Sequence, residues 1–248
     1  KNVVRILEYL NSLKTADKNY QDLEDLNILA IIPVRGKTLE FGDSTLLETT
    51  IDSAKKSKYI SEIIVSTDSN ETAEIARMHD IEVPFIRPAV LSEEFIDIFE
   101  VVKFTLERVE EDSKHFDLVV LLEEVYPFRE ENLIDNMILQ LIYKGQDTVI
   151  AAIQEKRSVW VQPDNESKLI NIEKDILMPR SLKKSRAFIG MLGICCVTHP
   201  MMIRTQSVLD GKTGLYKITN DFSSITVRKD VDSHNAESMR QLWKSSNK

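Results

Sequence analysis

Apolar positions along the chain alternate between short continuous runs and stripes of helical spacing. Val3, Ile6, Leu7, Leu10 and Leu13 recur every three or four residues and predict an amphipathic helix over 1–15. A polar connection follows to Asp25. Asn27 to Pro33 (NILAIIP) is near-continuously apolar, the pattern of a strand covered on both faces. Leu46, Leu47, Thr50, Ile51 and Ala54 form a helical stripe, and Glu62 to Ser66 is a second buried strand. Asn70 to His79 reads as a helix that Ser69 or Asn70 can cap. Val83 to Ile86 predicts a short strand, and Phe95 to Glu110 a helix with Ile98, Val102, Leu106 and Val109 inward. Strand, helix and strand follow at Asp117 to Leu122, Glu131 to Tyr143 and Thr148 to Ile153.

This rhythm predicts βαβ units with right-handed crossovers. The expected class is α/β, a three-layer αβα arrangement about a mostly parallel sheet. After Ile153 the rhythm breaks. Short alternating segments at Val159 to Val161 and Leu169 to Ile172 read as a β-excursion. The charged tract Lys183 to Arg186 follows, then a strand from Gly193 to Thr198 and a last helix from Ser233 to Trp243. The expected organisation is an N-terminal helix and linker over 1–26, then one domain over 27–248.

Composition narrows the function. The 248 residues are 42% hydrophobic and 29% charged, enough chain to bury a core without disulfides or metal staples. A net charge of -8, with no basic block, argues against nucleic-acid binding. Binding a nucleoside triphosphate would need a local cluster of Arg and Lys, or a divalent metal. No apolar run approaches the roughly 20 residues that span a bilayer, and no secretory signal opens the chain, so no membrane partner and a cytoplasmic location are expected. The first residue is Lys1, which fits a trimmed chain or a piece of a longer polypeptide. Cys195 and Cys196 are adjacent; neighbours in a strand face opposite sides, so they read as small apolar strand residues. The four histidines have neither ligand nor triad spacing.

In open α/β sheets ligands bind beyond the carboxyl ends of the strands. There the chain carries Arg35-Gly36-Lys37, then Ser66-Thr67-Asp68-Ser69, then Arg87-Pro88 with Ser92 close behind, then Glu123 to Arg129, and far downstream Asp230-x-Asp232. Arg and Lys neutralise phosphates while Gly lets the backbone approach them; a polar turn would read the same way. Ser66 to Ser69 also suits a helix cap, and Arg87-Pro88 a rigid loop. Two carboxylates two apart on an extended segment face one side. That suits a hard cation such as Mg²⁺ bridging to phosphates, or a solvated turn before a helix.

Taken in order, IIPVRGK from Ile31, STDS from Ser66, FIRPAVLS from Phe85, LLEEVYPFR from Leu121 and KDVDS from Lys229 resemble the motifs of the CMP-sialic acid synthetase (acylneuraminate cytidylyltransferase) family. The resemblance spans about residues 28 to 235. It implies transfer of a cytidylyl group from CTP to an acidic nine-carbon sugar, giving the CMP-sugar and pyrophosphate. It further implies that Arg35 and Lys37, with Gly36 between them, hold the triphosphate. Arg87 and Ser92 would belong to the nucleotide pocket, and Arg129 and Arg180 to the phosphate or acid-sugar side. Asp230 and Asp232 would ligate Mg²⁺. A homodimer paired through the excursion at about 155–190 is implied as well.

The sequence departs from the family pattern at three places. The glycine-rich loop is shortened after Arg35-Gly36, Glu123-Glu124-Val125-Tyr126 stands where Gln-Pro-Thr-Ser is usual, and Leu192 replaces the usual Asn before Gly193. A carboxylate beside an anionic substrate repels it. Two readings therefore stay open: an active cytidylyltransferase, and a catalytically impaired member acting as a binding or assembly module.

Overall fold

The computed structural model describes residue 23 and residues 25–111, 114–164, 168–172, 187–229 and 238–243. The expected N-terminal helix, the Lys183 to Arg186 tract, Arg180, Asp230 and Asp232 lie outside the described residues.

The sheet is built on β1 (Ile28–Val34), all seven of whose residues are buried. It is flanked by β4 (Glu62–Thr67) and β5 (Leu118–Leu121), both parallel to it. The order across the sheet is β11-β6-β10-β5-β1-β4, with β6 at Thr148–Gln154, β10 at Cys196–Thr198 and β11 at Thr213–Lys217. Five of these strands run in one direction. β10 is antiparallel to both β5 and β6, and β9 (Phe188–Gly190) pairs antiparallel with the later half of β6.

Period-two alternation along the strands divides the core. Ile28, Ala30 and Ile32 pack with Leu118, Val120, Val149 and Cys195 on one face. That face is covered by α1 (Leu46–Lys55), α2 (Asn70–Met78) and α4 (Leu133–Lys144). Leu29 and Ile31 pack with Ile64, Val119, Leu121 and Cys196 on the other, under α3 (Ile98–Glu110) and α5 (Pro200–Arg204). The three-layer αβα expectation holds, and the adjacent cysteines do face opposite layers. The stripe read for α1 is the buried set observed. Its start is fixed by a capping box, with the Glu48 amide donating to Thr45 Oγ1 (3.2 Å) and the Thr45 amide to Glu48 Oε2 (2.6 Å).

A small third cluster lies at the carboxyl ends of the strands. Phe128 makes edge or tilted contacts with Phe41 (5.6 Å between centroids), Phe222 (6.2 Å) and Trp243 (5.9 Å), and Val227 is buried beside them. Phe41 belongs to the hairpin of β2 (Glu40–Phe41) and β3 (Ser44–Thr45). Trp243 lies in the described helical stretch 238–243.

Two elements differ from expectation. Val83 to Ile86 is not a strand: only Glu82 bridges to Ile64, because Pro84 has no amide to continue the ladder and the next bond, Arg87 N–H to Thr67 O (2.8 Å), lies beyond it. Gly193 to Ile194 is not strand either. Met191 donates to the Ala151 carbonyl while Ala151 donates to that of Cys195, so 192–194 bulge out of the sheet between β9 and β10. The short segments after Ile153 do pair, as the hairpin of β7 (Trp160–Val161) and β8 (Ile170–Asn171).

Candidate active site

β1 ends at Val34 beside the ends of β4 and β5, and the loop from 35 to 39 leaves from that point. Its residues alternate. Arg35 and Lys37 are exposed, while Gly36 and Thr38 are tethered to the protein. Gly36 has φ +67, a left-handed conformation that strains any residue with a Cβ, although nothing lies within 4 Å of where that atom would be. Its amide donates to Asp68 Oδ1 (2.8 Å), and its carbonyl accepts from Thr72 Oγ1 (2.7 Å). Thr38, 2% exposed, accepts from the Leu47 amide (3.2 Å) and donates to Glu124 Oε2 (2.6 Å).

The exposed cations are lightly held. Lys37 Nζ pairs with Glu71 Oε1 at 2.8 Å with both side chains in solvent, where water and salt screen the contact. Arg35 reaches the Ser92 carbonyl at 3.5 Å.

The other sequence-derived cations behave differently. Arg87 is buried, with Nη1 donating to the Ser66 carbonyl (2.7 Å) and Nη2 to the Val34 carbonyl (3.2 Å). Its Nε and Nη2 also reach Ser92 Oγ (3.2 and 2.9 Å). It thus staples the ends of β1 and β4 and carries Ser92 with it. Burial lowers its pKa, partly countered by Asp68 at 3.9 Å. Asp68 itself lies below its ordinary value: burial opposes ionisation, but bonds from the Gly36 amide and Ser92, with Arg87 nearby, outweigh it.

Arg129 is also buried, and its five N–H groups meet protein acceptors. Nε donates to the Ile194 carbonyl (2.7 Å), and Nη1 to the Tyr126 carbonyl (2.8 Å) and Thr50 Oγ1 (3.2 Å). Nη2 donates to the carbonyls of Glu123 and Gly193. Burial pushes its pKa down to about 10. Arg129 therefore ties α1, the turn after β5 and the 192–194 bulge together, and its guanidinium faces chain carbonyls rather than an open cleft.

The two carboxylates after β5 turn different ways. Glu123 packs on Gly193, near Arg129 and Arg228, and burial raises its pKa. Glu124 points inward to Thr38, and burial raises it from 4.5 to about 7 against that hydrogen bond. Arg228 is brought there because the Val227 amide donates to the Val125 carbonyl (2.9 Å). The stretch that leads into Asp230 thus passes beside the turn after β5. Among the described residues no group of three His, Cys, Asp or Glu could hold a metal. A depression of about 360 Å³ lined by Lys55, Ser57, Glu62, Asp80 and Glu82 lies at the amino end of β4, away from these groups.

Three participants were not singled out from sequence: Thr38, Thr72 and the carboxylate role of Asp68. A loop hydroxyl directly after Lys37 was the available signal for Thr38. Its partner is 86 residues away.

The described geometry places a cation-bearing loop at the switch point of an α/β sheet, and residues 34–186, most of the chain, match the family model described as Cytidylyltransferase. The chain belongs to the cytidylyltransferase family. Among similar proteins is the CMP-N,N'-diacetyllegionaminic acid synthase of Legionella pneumophila, 29% identical over 157 residues, which are 60% of this chain and 68% of that one. The pseudaminic acid cytidylyltransferase of Campylobacter jejuni is 25% identical over 134 residues, 51% of this chain and 58% of the relative. The post-translational flagellin modification protein B of Campylobacter coli is 25% identical over 80% of this chain and 86% of its own length.

Solved structures of other cytidylyltransferases share the fold. The 4-diphosphocytidyl-2C-methyl-D-erythritol synthase of Anaerococcus prevotii superposes with a TM-score of 0.64 at 17% identity, over 90% of this chain and all of that one. CMP:2-keto-3-deoxy-manno-octonic acid synthetase, determined with CTP, gives 0.60 at 10% identity over 87% and 99%.

Proposed function

We propose that this family member activates an acidic nine-carbon sugar of the nonulosonic class with CTP. The anomeric oxygen of the sugar attacks the α-phosphorus, the bond from that phosphorus to the bridging oxygen breaks, and pyrophosphate leaves. The hydroxyl proton passes to solvent. The observation that carries the reading is the alternation in the loop after β1. Arg35 and Lys37 face outward from a loop whose Gly36 and Thr38 are fixed behind them. Two cations held at the carboxyl end of the central strand offset the charge of a triphosphate.

The other residues have supporting roles. Arg87, Ser92 and Arg129 shape the pocket wall, and Arg180 is assigned to the sugar carboxylate. Asp230 and Asp232 offer two hard carboxylate oxygens, a donor set that fits Mg²⁺. When bound, the ion would offset phosphate charge. Trp160, Val161 and Ile170 on β7 and β8, and Phe188 and Ile189 on β9, are exposed apolar side chains of the kind a second copy of the chain would cover. Among the described residues no helix is long and apolar enough to cross a membrane, and the reading assigns activity to the cytoplasm.

A second reading, a binding or assembly module with impaired catalysis, has one observation in its favour. The Gly36 amide already has a carboxylate partner in Asp68, and Lys37 has one in Glu71. Pyrophosphate release from each nucleoside triphosphate, with Mg²⁺ and a panel of nonulosonic acids, separates the two. Release with CTP and one of the sugars, abolished by Asp232→Ala, supports the enzyme. Absence of both turnover and a CTP-dependent thermal shift would overturn the enzyme reading.

A further inference from the structure

We infer that Thr38 and Glu124 form a positioning pair that fixes the loop carrying Arg35 and Lys37 before any ligand arrives. The use of that loop rests on the cytidylyl-transfer reading; the pair itself rests on geometry alone.

The loop leaves a fully buried strand and passes through a glycine in the left-handed region, so by itself it has many conformations open to it. It is restrained from two sides. On the β4 side, Asp68 and Thr72 hold both backbone groups of Gly36. On the β5 side, the Thr38 hydroxyl reaches across to Glu124 at 2.6 Å while accepting the Leu47 amide at the start of α1. β1 lies between β4 and β5, so the two tethers pull in opposite directions across it. Without the bond to Glu124, the loop would keep its contacts to Asp68, Thr72 and the start of α1 and lose its hold on the turn after β5.

Glu124 is a costly group for this task if stability were the aim. It is 9% exposed, and desolvation dominates its environment. Among the described residues its pKa is shifted by burial and the Thr38 hydrogen bond, and Glu123 beside it turns toward Gly193, Arg129 and Arg228 instead. What the carboxylate does supply is a strong, directional acceptor for a buried hydroxyl. A binding loop held in one geometry binds its ligand without ordering itself at that moment. With only a short loop available, an anchor from the neighbouring strand end provides that order.

Four variants test the pair. Thr38→Val removes the hydroxyl at constant shape, and Glu124→Leu removes the acceptor. Thr38→Ser and Glu124→Gln keep a donor and an acceptor respectively. Amide exchange of a peptide covering 34–40 is read by mass spectrometry, and CTP affinity by calorimetry with Mg²⁺. The expected result is exchange at 35–38 about tenfold faster and CTP about tenfold weaker in the first two variants, the size of one lost hydrogen bond. Both should return to within about threefold in the second two. Unchanged exchange at 35–38 in Thr38→Val and Glu124→Leu would overturn the pair. So would exchange that rises equally across β1, since that marks a core role rather than positioning. If the wild-type chain binds no CTP, the transfer reading fails, while the exchange measurement still decides the pair.

Discussion

The carboxylate of Glu123 lies directly against the α-carbon of Gly193, so that a methyl group there would overlap Oε1 and stand 2.7 Å from Cε2 of Tyr126. The Glu123 amide also donates to the Gly193 carbonyl at 2.8 Å. The turn after β5 and the bulge before β10 therefore form one packed unit. Gly193→Ala should destabilise the protein by about 1–3 kcal/mol, the usual range for overpacking, read from urea unfolding. Adding Glu123→Ala should recover part of that loss, since it clears one of the two obstructions. A single variant within about 0.5 kcal/mol of wild type, the ordinary surface range, would rule out this contact as a constraint.

Arg129 is expected to matter more for stability than for charge at the cleft. Arg129→Met would take the guanidinium donor from four carbonyls and the Thr50 hydroxyl. The carbonyls of Gly193 and Glu123 keep the amides of Glu123 and Tyr126, and each acceptor left unmet should cost about 1–3 kcal/mol. Arg129→Lys keeps the charge but loses the planar fork, and should recover only part of this. Chemical denaturation at neutral pH measures both; near-native stability of the methionine variant would contradict the bracing role.

Arg35 and Arg87 should separate binding from folding. Arg35 is exposed with one long contact, so Arg35→Ala should shift stability by no more than about 0.5 kcal/mol. The same change should weaken CTP by roughly 10- to 150-fold, the loss of one charged hydrogen bond of about 1.5–3 kcal/mol. Arg87→Ala should instead unfold more easily. Paired thermal and CTP titrations compare them, and unchanged CTP affinity in Arg35→Ala would remove the loop from the triphosphate site.

Glu124 predicts a pH dependence with a defined sign. Its folded pKa of about 7 lies above the ordinary 4.5. Below 4.5 the group is protonated in both states and nothing is lost. As pH rises toward 7 the unfolded chain releases its proton first, so stability falls across that window. The full loss is about 3 kcal/mol, from roughly 2.5 pKa units at 1.36 kcal/mol each. Glu124→Gln should approach that gain over wild type at pH 8 and show little gain near pH 4.5. Parallel stability curves for the two proteins would contradict this.

The contrast between these residues defines what the chain discloses when read alone. β1, β4 and the α1 stripe were legible because a buried strand and an amphipathic helix each leave a local period. β10 was recognisable as a strand, but its reversed direction was not, since direction depends on where the chain has travelled. β11 was missed: only Gly214 of its five residues is buried, so no apolar run marks it. At the site, sequence supplied the cations and their order. It could not reveal that Arg87 and Arg129 face carbonyls while Arg35 and Lys37 face solvent, because donor direction is a tertiary property. By sequence Glu124 is a carboxylate that repels an anion; its bond to Thr38 joins positions 86 residues apart, too distant for any spacing rule.

β10 also has a consequence for synthesis. β5 and β6 follow one another in sequence but are separated in the sheet by a strand that is made later. A nascent chain ending before Cys196 holds β5 and the first half of β6, apolar strands whose edges face a gap. Such edges are where misassembly and aggregation begin. The gap in the middle of the sheet closes only when β10 is made, after the strands on both sides of it, and the yield of soluble chain on expression should depend on how quickly β10 arrives to fill it.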